Sequence, residues 1–461
     1  MFIGSSFKDP DLALTRQETV NWYIESQPEG ARNAKTLIGA PGTAEWDNVG
    51  TGPIKAIYNH NERIYCVSDV EFYEILSDGT SILRGTLGES SQPFIVANLT
   101  QVVIVNGVSG YVWDETADTF TQISDPNFYP TNYGTYQDGY LFFVREGTGQ
   151  FFVSDIDDAL TYPAINFDEA VLRGDVLLSI VSDTRSVWLV GARTIEPWYN
   201  NGQLTGVPIV PNRGAASLRG TAAYRSVISS QVGVFFLGDD FNVYWMQGYT
   251  PKNISSDAQA KTFTEYAQNG GVSDAYAFMM NMDGHWFYVL TFPTQKKTYV
   301  YDPEEGAWHN RESWQLGYWR ASCYESCFGL NLVGDTESNR IGSLSRSVYQ
   351  EYGGYWVARR VSGVYSAKQK TVHANRLELV FPSGQVPQNI THEARLRYSD
   401  NKGLTFGNPR VMNIGRAGAG NIRAIWWSMG SFRDRVYELS VSTNGNRDLL
   451  DEVFEYEVGG Y

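Results

Sequence analysis

Hydrophobic residues along this chain come in short runs of Val, Ile, Phe, Tyr and Trp, some continuous and some alternating with polar residues. Each run is closed by Gly, Asn or Asp. A period near two with such punctuation predicts β-strands joined by hairpin turns, and helical periodicity is almost absent. One unit recurs: an apolar strand, a tight turn, a second strand, a polar turn, and a third strand ending in aromatic residues. It is read at 56–85, 100–124, 134–156, 181–202, 229–251 and 280–311, with a weaker copy at 322–346. Successive copies start roughly 35–52 residues apart, close to the spacing of propeller blades, about 40–50 residues. The expected fold is all-β: a six- or seven-bladed β-propeller over 51–357, an extended N-terminal arm over 1–50, and a C-terminal antiparallel β-sandwich-like domain over 358–461. The arm mixes strand-like "TVNWYIES" with turn-like "GAPGTAEW", which suits closing the last blade or reaching a neighbour. One short helix is expected within 252–275, capped by Ser255 or Ser256. The tail shows strands in "NRLELVFP", "EARLRYSD", "NIRAIWWSMG" and "RVYELSVST".

The repeat also decides the chemistry of the one stretch that invites a catalytic reading. In "VYDPEEGAWHN", Asp302, Glu304 and Glu305 lie near Trp308 and His309, as an acid/base pair beside a sugar platform would. The same slot elsewhere holds "VWDETADTFTQI", "FYEILSDGTSIL" and "VYWMQGYTPKNI", so the segment reads as a turn between two strands. Pro sets φ, Asp bonds its own backbone and Gly accepts positive φ there. A second local pattern, Ser399-x-Asn401-x-Gly403-x-Thr405-Phe406, resembles the Asp-box hairpin turn of sialidases, with Asn in place of Asp. Its side chains are expected to bond the turn backbone while Phe406 anchors in the core. One copy is a fold device, and the arginine trio of a sialidase cannot be picked out.

Composition narrows the function further. The formal net charge is −15, unevenly spread: from Arg359 on there are 14 Lys and Arg against 10 Asp and Glu, leaving 22 against 41 in residues 1–358. Such an acidic body argues against a tight non-specific grip on nucleic acid. The cysteines, Cys66, Cys323 and Cys327, are too few for a disulfide framework and too poorly spaced for zinc, and are expected as small buried hydrophobes in a reducing compartment. No signal peptide or membrane-spanning run is expected. Phosphate-loop, dinucleotide, zincin and nucleophile-elbow motifs are absent from the sequence. The expectation is no catalytic residue, no metal and no cofactor.

Several turns and strands together resemble the packaged-DNA stabilisation proteins of short-tailed phages, also called tail hub, nozzle or tail accessory factors. They are Ser154-Asp155-Ile156-Asp157-Asp158, and Thr194-Ile195-Glu196-x-Trp198-Tyr199-Asn200-x-Gly202. Further on come Arg213-Gly214-Ala215 to Gly220, Leu237-Gly238-Asp239-Asp240, and Gly248-Tyr249-x-Pro251-x-x-Ile254-Ser255. The resemblance covers roughly 15–310 well and the last hundred residues weakly. "FDEAVLRGDVLL" departs from the family's pattern near position 169, so the blade register is expected to differ locally. The resemblance implies a structural virion protein assembled in the host cytoplasm. It would form a homo-oligomeric ring, expected to be a hexamer, below the portal and adaptor. It would extend the channel for double-stranded DNA, retain the packaged genome until ejection, and dock needle, fibre or spike proteins. The matched residues are turn and strand signatures there, not catalytic ones. The competing readings are a glycan-binding or glycan-cleaving propeller for host attachment, and an unrelated propeller scaffold for protein partners.

Overall fold

In a computed structural model, residues 2–459 are described apart from 11–15, 30–32, 171, 173, 204, 383–389, 417, 419 and 421. Arg173, in the segment that departs from the family pattern, therefore lies outside the described residues. Among these residues seven antiparallel blades follow one another, at 54–86, 94–122, 134–169, 177–211, 228–253, 276–311 and 321–345; six are four-stranded sheets, and the four strands at 276–311 belong to an 11-stranded one. We number them blades 1 to 7. The first strand of each blade touches the first strand of the next, and that of blade 7 touches that of blade 1, so the ring is closed. Blade 7 has only three strands of its own. Its fourth, Gly42–Asn48, comes from the N-terminal arm and pairs antiparallel with Arg340–Ser345.

The apolar runs are explained by where the core lies. It is not central but divided into seven clusters, each wedged between adjacent blades. Tyr65, Phe72, Val102 and Trp113 join blades 1 and 2, whereas Ile54, Cys66, Leu332 and Ile341 join blades 7 and 1. A second strand such as Gln101–Val105 is therefore buried on both faces, and its sequence reads as a continuous apolar run. Turns are closed by acceptor side chains. Asp114 takes the N–H groups of Thr116 and Ala117, and Asn106 those of Val108 and Ser109. The one α-helix among the described residues, Asp257–Gln268, has a full capping box between Ser256 and Gln259. Ser255 instead accepts from the Val243 N–H at 2.7 Å, tying the helix start to blade 5.

The C-terminal part is a two-sheet sandwich. Val372–Phe381 pairs with Ile422–Phe432 and Asp451–Val458 in one sheet. Ala358–Val361, Asp434–Val441, His392–Ser399 and Arg410–Gly415 form the other. Between them lies an eighth core that includes Leu377, Trp426, Leu396 and Leu439.

Propeller and sandwich are stitched together by the arm. Arg16–Val20 pairs antiparallel with Ala358–Val361, while Val20 bridges in parallel to Asn310 of blade 6, making one sheet run through both bodies. The following hairpin, Trp22–Ser26 with Lys35–Gly39, lies between them. Its alternation serves both: Trp22, Ile24 and Leu37 enter the sandwich core, and Tyr23 and Ile38 enter the cluster between blades 6 and 7.

Candidate functional site

The chemically dense region is the junction of blade 6, the arm and the sandwich. It contains the acidic stretch singled out in the sequence. Asp302 ends the third strand of blade 6, and its Oδ1 accepts from the N–H groups of Glu304 and Glu305 at 2.9 and 3.3 Å. Its Oδ2 lies 2.8 Å from His285 Nδ1, and this hydrogen bond, against the effect of burial, raises the His285 pKa. Glu305 reaches the arm, accepting from the Ser26 N–H and hydroxyl at 2.7 and 2.8 Å. The Trp308 indole donates to the Ile254 carbonyl of blade 5 at 2.7 Å. His309 is buried beside Tyr23 and Phe287, and its pKa is pushed down to about 3 by burial, with Arg311 and His285 adding to the effect. These groups form a turn, a tie to the arm and a wall.

Burial of His309 has a measurable consequence. The unfolded imidazole takes a proton near its ordinary value while the folded one stays neutral to about 3, so stability falls as pH drops below about 6.5. Between pH 7 and 5 that loss is about 2 kcal/mol. His309→Phe, which suits the aromatic surroundings, is expected to remove it. Denaturant unfolding of both proteins at the two pH values checks this, and equal losses would refute it.

Around this junction, four arginines bind elements far apart in the chain. Arg360, almost fully buried, donates to the carbonyls of Phe2 (2.7 Å) and Ser5 (3.1 Å), to Thr19 Oγ1 (2.7 Å) and to Gln17 Oε1 (3.2 Å). Arg311 donates to the Pro41 carbonyl and stacks 3.7 Å from the Trp319 ring centre. Arg447 donates to the Tyr349 carbonyl and lies over Trp356. Arg359 pairs with Glu18 at 3.0 Å. Burial alone would raise the Glu18 pKa, but Arg359, Lys8 and Lys297 outweigh it and hold the carboxylate low. None of the four was singled out in the sequence. The one local signal is an Arg pair inside the apolar "YWVARRVSGVY".

The remaining sequence-selected residues are scattered through blades 3 to 5 as shaping elements. Ser154 accepts from the Leu141 N–H and donates to the Asp155 carbonyl. Asp157 sits at positive φ, and Asp158 accepts from the Leu160 N–H. Thr194 is held by Asp175, which also takes the Arg193 N–H. Asp175 belongs to the segment that departs from the family pattern, and beyond it the first strand of blade 4 carries an irregularity between Leu177 and Ser179. Ile195 is buried. Glu196 accepts from the Leu172 N–H and the Trp198 indole, and Trp198 meets Phe151 edge-on across the blade 3–4 interface. Gly202 and Gly248 take positive φ in turns. The Gly238 N–H donates to Asn242, and Asp239 pairs with Arg219 at 2.9 Å. Tyr249 is exposed beside Trp188, Pro251 pairs with Met246, and Ile254 donates its N–H to Val243.

In the Asp-box-like turn, Ser399 accepts from the Gly403 N–H and donates to Asn401, which accepts from the Thr405 N–H and donates to its hydroxyl. Two expectations need correction. Phe406 does not anchor in the core; it lies half-buried, with the Arg397 guanidinium 5.0 Å from its ring centre, because it falls in the loop between the strands His392–Ser399 and Arg410–Gly415. Cys66 and Cys327 are buried, but Cys323 is only half-buried and faces a cavity on the propeller axis.

Comparison with known proteins assigns this arrangement. Two family models match in sequence, "Bacteriophage P22 Gp10, beta-propeller" over residues 8–349 and "Bacteriophage P22 Gp10, beta-sandwich" over residues 359–449. The chain belongs to the bacteriophage P22 Gp10 family. These are the packaged-DNA stabilisation tail proteins, and membership makes this chain a structural virion protein of a short-tailed phage tail. No curated protein matches it. Among solved structures it is similar to the extracellular domain of a hybrid two-component system from B. thetaiotaomicron. That match has 9% identity and a TM-score of 0.44, covering 74% of this chain and 43% of the other, so the chain spans less than half of that relative. It is also similar to streptogramin B lyase (8% identity, TM-score 0.45, covering 70% and 98%) and to a chain of a mitotic checkpoint complex (10%, 0.46, covering 70% and 95%). The family assignment rests on the two matched stretches.

Proposed function

We propose that this Gp10-family chain acts as one segment of a homohexameric ring below the portal and adaptor. The ring extends the DNA channel, retains packaged DNA and docks needle, fibre or spike proteins. The observation that carries this reading is that the family match spans both bodies, propeller and sandwich, in one chain. The stitching supports it: a block joined by a shared sheet, a hairpin core and buried arginines transmits load without hinging. The charge asymmetry supports it as well, because an acidic body facing a more basic tail suits head-to-tail contacts that close by rotation. Acidic walls would also keep DNA phosphates, about one charge per 1.7 Å, from sticking during ejection. The assembly units are the arm (1–50), the propeller (51–357) and the β-rich domain (358–461), put together in the host cytoplasm. The protein has no enzymatic role, a reading supported by the structural engagement of Asp302 and Glu305.

The test is made with portal–adaptor complexes present. Purified protein is mixed with them and copies are counted by electron microscopy and native mass measurement. Six copies per portal are expected. A monomer that never joins the particle, and whose genetic loss leaves filled heads leak-proof and infectious, would sink the proposal.

A further inference from the structure

The first strands of the blades surround a narrow shaft on the propeller axis, which holds a cavity of ≈ 240 Å³. Its wall is largely apolar and aromatic, including Tyr58, Phe94, Ile95, Phe278 and Tyr324. Arg225 lines it too, presented by the short 3-10 turn Tyr224–Ser226 that leads into blade 5. Arg225 is half-buried where it lines the cavity. Burial lowers its pKa, and the groups that act on it in return are Tyr224, Tyr276, Tyr133 and Cys323, with no carboxylate among them.

The neighbouring polar groups are committed elsewhere. The Tyr133 and Tyr276 hydroxyls donate to the Val227 and Ala321 carbonyls at 2.9 and 3.0 Å. Tyr276 offers Arg225 only its ring, 5.1 Å away. Lys55, also in the wall, is paired with Asp69 at 2.9 Å. Glu325 is the one carboxyl in the wall. Burial pushes its pKa up to about 8, so near neutral pH it is mostly protonated, and Arg225 is not among the groups that influence it. Among the described residues Arg225 thus has no hydrogen-bond or ion-pair partner, while its planar fork of donors suits two oxygens of one anion.

We propose that Arg225 anchors an anion site on the propeller axis, built for a small oxyanion, either a carboxylate or a phosphate. The way in is a wider cleft of ≈ 650 Å³ over blades 5 to 7, which shares Ile228, Phe278, Tyr324 and Glu325 with the shaft. Ser229, Ser230, Gln231, Asn281 and Asn331 line that cleft with hydroxyls and amides, Trp286 adds an aromatic face, and the one carboxylate besides Glu325, Asp283, lies 3.9 Å from Arg346. Such a mouth fits a hydroxylated body behind the anionic group, as in an acidic sugar. The site stands independently of ring formation.

The experiment is calorimetric titration of the full chain with acetate, inorganic phosphate, glucuronate and, as neutral control, glucose, at constant ionic strength. Saturable millimolar binding of the anions and none of glucose are expected, with at least about a tenfold loss in Arg225→Gln. Tightest binding of glucuronate would assign the site to an acidic sugar, and tightest binding of phosphate to a free phosphate. In parallel, phenylglyoxal modification of Arg225 in the unmutated protein, read by mass spectrometry, should slow when anion is present. No saturable response in the unmutated protein, or an unchanged response in Arg225→Gln, would overturn the proposal. If that variant does not fold, a modification rate indifferent to anion overturns it equally.

Discussion

Arg360→Ala is expected to lower stability by about 4 kcal/mol and to free the first residues of the chain for proteolysis. The guanidinium is the shared donor for two carbonyls, a hydroxyl and an amide oxygen, all gathered from residues 2–19. Hydrogen bonds from a charged donor contribute about 1.5–3 kcal/mol each, non-additively, and acceptors left unpaired in a buried site add their own penalty. Phe2 would be affected with them: it is fully buried in the sandwich core, and its N–H donates to Glu452. Arg360→Lys should recover only part of the loss, because an ammonium cannot span four acceptors. The exposed Arg433→Ala is the control. Denaturant melts with timed trypsin digestion read both effects, and a variant within about 1 kcal/mol of the parent would contradict the assignment.

A larger effect is expected from removing residues 1–48. That deletion takes away the outer strand of blade 7, the strand shared with the sandwich, and the buried side chains Phe2, Trp22, Tyr23, Ile24, Leu37 and Ile38. At about 1.5–3 kcal/mol per buried large apolar side chain, the loss is on the order of 10 kcal/mol, comparable to the whole net stability of a domain. The shortened chain should lose its cooperative melt and expose the edge of Arg340–Ser345. Supplying residues 1–48 as a separate peptide should restore the melt. A truncated chain that melts like the parent would show the arm to be dispensable.

How much of this could be read from the sequence depended on how local the cause was. The seven-part rhythm was legible because the second strands are buried on both faces and spell apolar runs. Edge strands were not: Phe167–Glu169 is exposed throughout, and Ile209–Pro211 is only three residues long, so neither carries a pattern. The turn at Asp302 was legible because an Asp bonding the next N–H groups is a short-range device that recurs at Asp114. Arg360, Arg311 and Arg225 were not. Their roles come from groups hundreds of residues away, or from the lack of any partner, and composition records neither. The closing strand "GTAEWDN" shows the same limit, since half of its reason lies in Arg340–Ser345.

That pairing also sets a schedule. The arm strand ends at Asn48, but blade 7 begins only at Ala321. At about 5–20 residues per second, a ribosome needs roughly 14–55 s to make the chain between them. Throughout that interval the earlier blades can stack but the circle cannot shut, and the sheet strand that will join sandwich to propeller waits as well. Closing the ring is therefore a long-range capture of an early strand by a much later one, a high-contact-order event that is intrinsically slow. Crowded synthesis of many copies in one cell makes that wait the period in which the arm of one chain can close the ring of another.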